Sequence, residues 1–396
     1  MATEWRSNLW LCIQLIIVGL VLWVFSWQLL SIWNNYSSDG AFDYRNVYSA
    51  SLNYIEDTSP AYVGQPEGHT VNDDLALILA TMRSNRYVEE AAYGTNALPY
   101  TFNFYGSGFS LPGDTVTPYY NYNKRRMSPE MLRVLRIRGV KGESTEELVK
   151  QLTNHKVIIS QYEKDDFSEK YRGQTAMNSY DSSEVFNIGA VIKPFRRNDF
   201  EPQRGGTIIT SLDNQERPNN IAIRLKEGVT PRQFLESLNL NDLHVGNVLV
   251  YDIKSLEARR ESAQRSYWNE IRTTVVGALF LLVIVFLGFI GTFWFRTRQR
   301  RSEVAVRKVN GATDGDIYRR LFSEGLMILV IALIVSIPLT YLIVAKLNLT
   351  RVFIEWLRWP SFIVSAAAMA LMIMVGVWFP ARNAVAVEPA EALHEE

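Results

Sequence analysis

The sequence has a single cysteine and no excess of either charge. Because Cys12 is alone, the chain cannot form an internal disulfide, and its folded parts must be held by their hydrophobic cores. Lys and Arg together number 41, as do Asp and Glu, so the basic excess typical of nucleic-acid-binding proteins is missing. We therefore expect no nucleic-acid partner.

The motifs of common enzymes and metal sites are also missing. The chain contains no G-x-x-x-x-G-K-[ST] loop, so it has no P-loop for ATP. Gly106-Ser107-Gly108 lacks the flanking residues of a nucleophile elbow and predicts a turn. The sequence predicts no catalytic residue, no bound cofactor and no metal site in this chain. The last point follows because no histidine has the short spacing to Cys or to another His that metal sites need; the four are His69, His155, His244 and His394.

What the sequence does contain is four long charge-free stretches. A bilayer core of about 30 Å requires roughly 20 apolar residues in a helix, and each stretch is long enough. They predict four transmembrane helices, at 9–33, 273–295, 325–347 and 361–379.

The first stretch could instead be a cleaved signal peptide. Its apolar part exceeds the roughly 7–15 residues of a signal-peptide core, and no A-x-A-like cleavage site follows. Trp10 and Trp33 lie near its two ends, where interfacial aromatic residues are expected. We therefore interpret this stretch as an uncleaved anchor.

The short connection between the second and third stretches is basic. Residues 296–322 carry eight Lys and Arg against three acidic residues, and positively charged loops stay in the cytoplasm. This rule predicts a cytoplasmic loop at 296–324, a short outer loop at 348–360, and cytoplasmic ends at 1–8 and 380–396. The sequence thus predicts an inner-membrane protein whose 34–272 segment faces the periplasm.

The long polar segment has the patterns of a mixed α+β domain. Helix starts are predicted at Asn72, Ser144 and Thr230, the last two with a capping-box partner three residues later. Strands are predicted at 100–104, 157–159, 185–192, 221–225 and 245–251, with a Gly/Pro-rich turn region at 202–218. Because strand–helix–strand order occurs near both ends, we expect two lobes, with the middle lobe at about 96–217. The predicted fold class is a four-helix membrane protein with this two-lobed extracytoplasmic domain inserted between helices 1 and 2.

The basic loop itself has sharp local signals. Residues 303–310 favour a helix that ends at Gly311, and Thr313 with Asp316 predicts the capped start of another. Contact with anionic lipid would explain the basic residues, whereas the two bounded helices favour docking of a cytoplasmic partner. On the residues alone both interpretations stay open.

Two motifs carry a family resemblance. The loop contains Glu303, Ala305, Arg307, Lys308, Gly311 and Ala312 in the pattern E-x-A-x-R-K-x-x-G-A, and 379–384 with 388–393 reads F-P-A-R-N-A … E-P-A-E-A-L. Both resemble the MacB/FtsX superfamily of ABC permeases, strongly over about 255–393 and only through element order in the polar segment. The acidic end of the chain departs from the family pattern.

The resemblance implies the function and the partners. It implies a coupling loop for a separate cytoplasmic ABC ATPase, formed by Glu303, Val304, Ala305, Arg307, Lys308, Gly311 and Ala312. ATP and Mg would be used by that ATPase, whose closure would move the outer domain without a substrate channel through the membrane. The resemblance further implies pairing with a second copy or a similar permease, and leaves open a periplasmic adaptor and an outer-membrane duct.

A cluster of aromatic residues in the polar segment has two interpretations. It can form a surface for an apolar or sugar-like ligand or partner, or it can pack within strands, which aromatic residues favour. The residues concerned are Tyr100, Phe102, Phe104, Tyr120 and Tyr122.

Three functions are compatible with this sequence. The size of the outer domain favours ATP-driven export or envelope transfer of a hydrophobic compound, peptide or lipid-linked cargo. The alternative is an FtsX-like regulatory permease that switches a cell-wall hydrolase or a sensor partner. A receptor that works without an ATPase is the third.

Overall fold

The computed structural model describes residues 2–37, 40–101, 105–110, 120–161, 166–178, 184–200, 206–212, 216–299, 301–347 and 354–385. These residues form two compact units. One lies within residues 1–36 and 267–396 and is helical, and the other lies within 37–266 and mixes helices with strands.

The α-helices and β-strands of the described residues follow each other along the chain in a simple order. They are α1 (Ala2–Ser37), β1 (Val47–Tyr54), α2 (Val71–Ser84), β2 (Val88–Thr95), β3 (Tyr105–Ser110), β4 (Tyr120–Met127), α3 (Met131–Val134), α4 (Thr145–Thr153), β5 (Val157–Ser160), β6 (Thr175–Asn178), β7 (Val185–Ile192), β8 (Gly206–Ser211), β9 (Asn220–Leu225), α5 (Pro231–Glu236), β10 (His244–Val245), β11 (Val248–Ser255), α6 (Leu256–Gln299), α7 (Arg301–Val309), α8 (Asp314–Leu347) and α9 (Arg358–Val385).

In the helical unit, α1, α6, α8 and α9 are each long and apolar enough to cross a membrane. They contain the four predicted stretches. Their shared core is built from large apolar side chains such as Leu15, Phe289, Leu321 and Ile373. The prediction of four apolar helices and a large mixed unit is therefore confirmed.

The strands from the two ends of the mixed unit form an antiparallel sheet in the order β10-β11-β1-β9-β2. Its central strand, β9, is buried along its whole length. Ile221, Ile223 and Leu225 face a core shared with α2 and α5, while Ala222 faces a second core shared with α3 and α4. Helices therefore cover both faces of this sheet.

The strands from the middle of the unit close into a ring. Pairing runs β4-β3-β6-β7-β5-β8 and returns from β8 to β4, so each of these six strands has two neighbours. A two-residue pairing between β2 and β4 joins this barrel to the antiparallel sheet. The barrel encloses its own core, which includes Tyr122, Ile159, Phe186 and Ile208.

Two of the three helix starts predicted in this unit are confirmed. The Ser144 and Thr230 side chains accept hydrogen bonds from Glu147 and Gln233 three residues later, and both form capping boxes. The third prediction was wrong by two residues. The capping box is made by Thr70 with Asp73, so α2 starts at Val71 rather than after Asn72.

Three loop and strand predictions around the barrel were wrong. Tyr100 has φ +59°, which a strand does not tolerate, so the strand predicted at 100–104 does not start there; residues 102–104 lie outside the described residues. Gly106-Ser107-Gly108 lies inside β3 rather than in a turn. The predicted turn region 202–218 contains strand β8, whose first residue, Gly206, is opposite Tyr122. A Cβ at Gly206 would collide with that ring, so the glycine marks close packing rather than a turn.

Candidate functional site

The short helix α7 lies between two apolar helices and has two different faces. Val304 and Ala305 are buried, at 9% and 4% exposure, and Val304 belongs to the core of the helical unit. Glu303, Val306, Val309 and Asn310 are exposed, and they follow one another at helical spacing. One face of α7 is therefore fixed by packing while the other presents two valines, a carboxylate and an amide.

The end of α7 is fixed by backbone geometry. Gly311 has φ +91°, its N–H donates to the Lys308 carbonyl at 3.0 Å, and the Ala312 N–H donates to the Arg307 carbonyl at 3.0 Å. These two hydrogen bonds make a Schellman motif, which glycine permits because it has no Cβ. The predicted stop at Gly311 is confirmed.

The next helix starts two residues later with a capping box. The Thr313 hydroxyl and N–H both donate to Asp316 Oδ2, at 2.6 and 3.0 Å, and the Asp316 N–H donates back to Thr313 Oγ1 at 3.3 Å. The predicted cap is thus confirmed. With Gly311 and Thr313 both constrained, the angle between α7 and α8 is set by the local sequence.

Charged side chains support α7 from both sides. Arg307 Nη2 donates to Glu303 Oε1 at 2.8 Å, and Arg320 Nη2 of α8 lies 3.6 Å from the same oxygen. Lys308 Nζ donates to the Val385 carbonyl at 2.6 Å and pairs with Asp314 Oδ1 at 2.8 Å. Since Val385 is the last residue of α9, Lys308 neutralises the negative end of that helix and ties α7 to it.

All seven residues of the predicted coupling loop therefore lie together, but they do different things. Val304 and Ala305 anchor the helix, Arg307 and Lys308 are half-buried and ion-paired, and Gly311 with Ala312 ends it. Glu303 and Gly311 are the exposed members. The family pattern did not single out Val306 and Val309, which are 48% and 65% exposed; their apolar side chains on a polar helix are the signal that could have found them.

The aromatic cluster of the mixed unit does not form a single exposed surface. Tyr122 is 1% exposed inside the barrel, and Tyr100 is 5% exposed, with its ring edge-on to Phe42 and Tyr44. Packing, one of the two interpretations, accounts for these two tyrosines. Phe102 and Phe104 lie outside the described residues, as does the side chain of Tyr120.

A second polar arrangement holds the start of α6, and sequence reasoning missed it. Arg259 Nη2 donates to the Asp252 carboxylate at 3.1 Å, to the Asp252 carbonyl at 3.1 Å and to Ser51 Oγ at 3.2 Å, and its Nε donates to Ser49 Oγ. Asp252 has φ +52°, and the β1–β11 register shifts between Ser49 and Ser51. The irregular strands thus bring together the hydrogen-bond acceptors that hold the Arg259 side chain.

The adjacent Arg260 binds on another side. Its Nε donates to Asp199 Oδ2 at 2.6 Å and its Nη1 to the Tyr44 hydroxyl at 2.9 Å. Gln264 donates to the same Asp199 oxygen, and the Tyr100 hydroxyl donates to Asp199 Oδ1 at 3.1 Å. Burial, together with the charge of Asp199, raises the pKa of Tyr100 well above its usual range. We call Asp199, Arg259 and Arg260 with these partners the α6 anchor.

Comparison with known proteins finds a family likeness within the helical unit. Residues 275–389 match the family described as FtsX-like permease C-terminal. The macrolide export ATP-binding/permease protein MacB of Chromobacterium violaceum is 25% identical over 196 residues, which is 48% of this chain and 30% of that protein. The probable syringafactin export ATP-binding/permease protein SyfD of Pseudomonas syringae pv. tomato is 24% identical over 183 residues, or 45% and 27%.

The chain thus spans less than a third of the length of these two curated relatives. Among solved structures, the extracellular domain of the noncanonic ABC-type transporter YknZ from Gram-positive bacteria aligns over 52% of this chain and 100% of that chain, at 10% identity and a TM-score of 0.33. The sequence matches confirm the predicted resemblance to MacB/FtsX-like ABC permeases, and the helical unit contains four helices that are long and apolar enough to span a membrane.

Proposed function

We propose that this permease couples ATP hydrolysis, carried out on a separate cytoplasmic ATPase with its ATP and Mg, to movement of the mixed unit. The observation that carries the proposal is the two-faced α7 helix. Its buried face and its constrained C-terminal end hold it in place, while Val306 and Val309 lie exposed on a helix otherwise rich in charge. An exposed apolar pair on a rigid support is typical of a docking element.

The orientation follows from the same helix. We propose that the basic residues around α7 keep it on the cytoplasmic side, with the chain's two ends there and the mixed unit in the periplasm; the positive-inside rule supports this orientation. Docking of an ATPase from the cytoplasm is consistent with this arrangement, because the ATP-binding P-loop motif is missing from the 396 residues.

The proposed route for the movement is α6. Its first residues carry the α6 anchor in the mixed unit, and the same helix continues to Gln299, directly before α7. A continuous helix resists bending, so displacement at α7 would be passed along α6 to the strands that hold Arg259 and Arg260. We propose that this transfer of motion, rather than a channel, does the work.

The cargo class is also a proposal. Relatives are named for the export of macrolides and of syringafactin, so we propose export or envelope transfer of a hydrophobic compound, peptide or lipid-linked cargo. We further propose that the permease pairs with a second copy or a similar permease. A periplasmic adaptor and an outer-membrane duct would complete an export path.

The docking step is tested with a matched pair of variants. Val306→Arg adds a charge to the exposed face of α7, and Val63→Arg makes the same change at a valine of the mixed unit that is 59% exposed. The full chain is tagged, purified in mild detergent after crosslinking, and the ATPases recovered with it are quantified. We expect Val306→Arg to lower ATPase recovery at least tenfold and Val63→Arg to leave it unchanged.

The outcomes separate the functions. If the wild-type chain recovers no ABC ATPase even with crosslinking, the proposal is wrong and a receptor that works without an ATPase is favoured. Where an ATPase is recovered, deletion of the gene decides its use. Increased accumulation of hydrophobic compounds supports export, whereas a septation or cell-shape defect supports the regulatory alternative.

A further inference from the structure

An open cleft lies along one side of α2 in the mixed unit. Its volume is about 620 Å³, within the range of roughly 300–1,000 Å³ that holds drug-sized ligands. The α2 side of the cleft contains Leu75, Ala76, Leu79, Ala80 and Arg83, whose spacing places them on one face of the helix. A small molecule therefore has room against a regular helical wall.

Much of the lining is apolar. Ala76 and Ala80 are exposed, and their side chains are too short to fill the space beside α2. Leu212, which follows β8, and the half-buried ring of Tyr93 on β2 line the cleft from other elements. A ligand in the cleft would thus contact both aliphatic and aromatic side chains.

Three charged residues also line the cleft, and two of them are already balanced. Arg83 Nε lies 3.2 Å from Glu90 Oε1, and Glu216 Oε1 lies 2.5 Å from Arg126 Nη1. The third is Glu130, which is half-buried and whose carboxylate has no ion-pair or hydrogen-bond partner among the described residues. The cleft therefore carries one unbalanced negative charge.

Glu130 is held beside Tyr93 by the backbone. The Ser128 N–H donates to the Tyr93 carbonyl at 3.0 Å, which joins the turn that carries Glu130 to β2. Burial, together with the negative charge of Glu130, raises the pKa of Tyr93, while the charge of Arg83 opposes that rise. Arg133 lies one turn further along the chain but donates to both carboxylate oxygens of Glu146, so its charge is balanced elsewhere.

We propose that this cleft binds a small hydrophobic cation, with its positive charge beside Glu130 and its apolar part against Ala76, Ala80 and Leu212. The unbalanced carboxylate supplies selectivity for a cation, because an anion there would be repelled. The apolar lining supplies affinity, and the Tyr93 ring contributes because an aromatic face attracts a cation. Interpretation of this ligand as cargo rests on the proposed export function, whereas its binding does not.

The test measures binding of tetraphenylphosphonium to the full-length chain in detergent. Tetraphenylborate has nearly the same shape and the opposite charge, so the pair isolates the contribution of charge. Equilibrium dialysis against protein-free micelles corrects for ions dissolved in the detergent. Glu130→Gln removes the charge at almost unchanged shape. Its control is Glu257→Gln, an exposed carboxylate just beyond β11, which lies three strands away from the strand of Tyr93 in the sheet.

A second pair of variants tests the space. Ala80→Trp fills the cleft from an exposed position of α2. Thr81→Trp places the same ring at the next exposed residue, about 100° further around the helix. Because both positions are exposed, we expect both variants to fold, and thermal unfolding in the same detergent checks this.

We expect the wild-type chain to bind tetraphenylphosphonium at least tenfold more tightly than tetraphenylborate, since an interaction with a partly buried charge is worth about tenfold or more in Kd. Glu130→Gln and Ala80→Trp should each weaken tetraphenylphosphonium binding about tenfold, and both controls should stay within about twofold of the wild type. Equal affinity of the wild type for the two ions, or unchanged affinity in Glu130→Gln, would overturn the proposal. If Glu130→Gln does not fold, unchanged affinity in Ala80→Trp would overturn it instead.

Cellular accumulation separates this site from the proposed function. Binding that responds to the variants, together with unchanged tetraphenylphosphonium accumulation when the gene is deleted, would support the site and contradict export of such cations. A wild-type chain that recovers its ATPase but does not bind tetraphenylphosphonium would overturn the site and leave the docking proposal standing.

Discussion

Loss of Asp199 should loosen the α6 anchor more than any single change at the surface of the mixed unit. The carboxylate accepts hydrogen bonds from Arg260, Gln264 and Tyr100, and its side chain is 15% exposed. In Asp199→Ala these three donors lose their acceptor while remaining largely buried.

The size of the effect can be worked from these contacts. Hydrogen bonds to a charged group contribute about 1.5–3 kcal/mol each, but contributions within one network are not additive and Arg260, at 20% exposure, can recover some water. We therefore expect about 3 kcal/mol lower free energy of unfolding for the mixed unit. For a unit of roughly 200 residues this corresponds to a decrease of about 6–12 °C in its Tm.

The measurement is hydrogen–deuterium exchange and thermal unfolding of the full chain in detergent. Faster exchange is expected in the first turns of α6 and in β1, since both are held through the α6 anchor. Asp57→Ala is the matched control, because Asp57 is exposed and the same substitution there should change the free energy by less than about 0.5 kcal/mol. Equal exchange and equal Tm in the two variants would refute the anchor.

Three further predictions concern other described residues. Gly311→Ala places a side chain at φ +91°, so it should destabilise the α7–α8 turn by about 1–2 kcal/mol and lower ATPase recovery. Gly315→Ala is the control and should change neither, because a Cβ there would lie 3.7 Å from its nearest neighbour, Thr313 Oγ1. Arg224 is 2% exposed and donates to three backbone carbonyls, those of Val134, Arg45 and Asp43. Arg224→Leu should therefore lower the free energy of unfolding, measured by urea titration, by about 3–5 kcal/mol. A variant as stable as the wild type would contradict this. The hydrogen bond between His69 and Asp74, together with the negative charges of Asp74 and Asp73, raises the pKa of His69 in the folded protein. Protonated His69 therefore stabilises the folded state fully below about pH 6.5, and this stabilisation is lost as the pH rises through the raised pKa. Amide hydrogen–deuterium exchange in residues 55–70 should therefore speed up over this pH range by more than the intrinsic pH dependence of exchange. His69→Gln should remove this additional increase.

The helical unit was the most predictable part of the chain. Its spans follow from length and hydropathy, and the turn between α7 and α8 follows from Gly311 and Thr313, whose local chemistry leaves few alternatives. The same holds for the capping boxes at Ser144 and Thr230. Where a structure is specified by neighbours in sequence, the sequence is enough to predict it.

The barrel and the α6 anchor depend on distant pairings, which local patterns do not reveal. Gly206 suggested a turn because its partner, Tyr122, is far away in sequence. Arg259 and Arg260 were not singled out from the sequence, because nothing local places Ser49 or Asp199 beside them. Val306 was missed for a different reason. The family motif emphasises residues that hold α7 in place, whereas the exposed face becomes visible only from the solvent exposure of each side chain in the structure.

The nesting of the barrel within the sheet has a consequence for the order of folding. Strands β3 to β8 are contiguous in sequence, so the ring can close as soon as the chain has been made through Ser211. Strand β1 must wait for β9 and β11, which lie about 170 and about 200 residues further along the chain. Contacts of such long separation form slowly, and an unpaired strand is exposed to wrong partners meanwhile. We therefore expect the barrel to be the early folding nucleus and β1 to be the segment most in need of chaperone protection during synthesis.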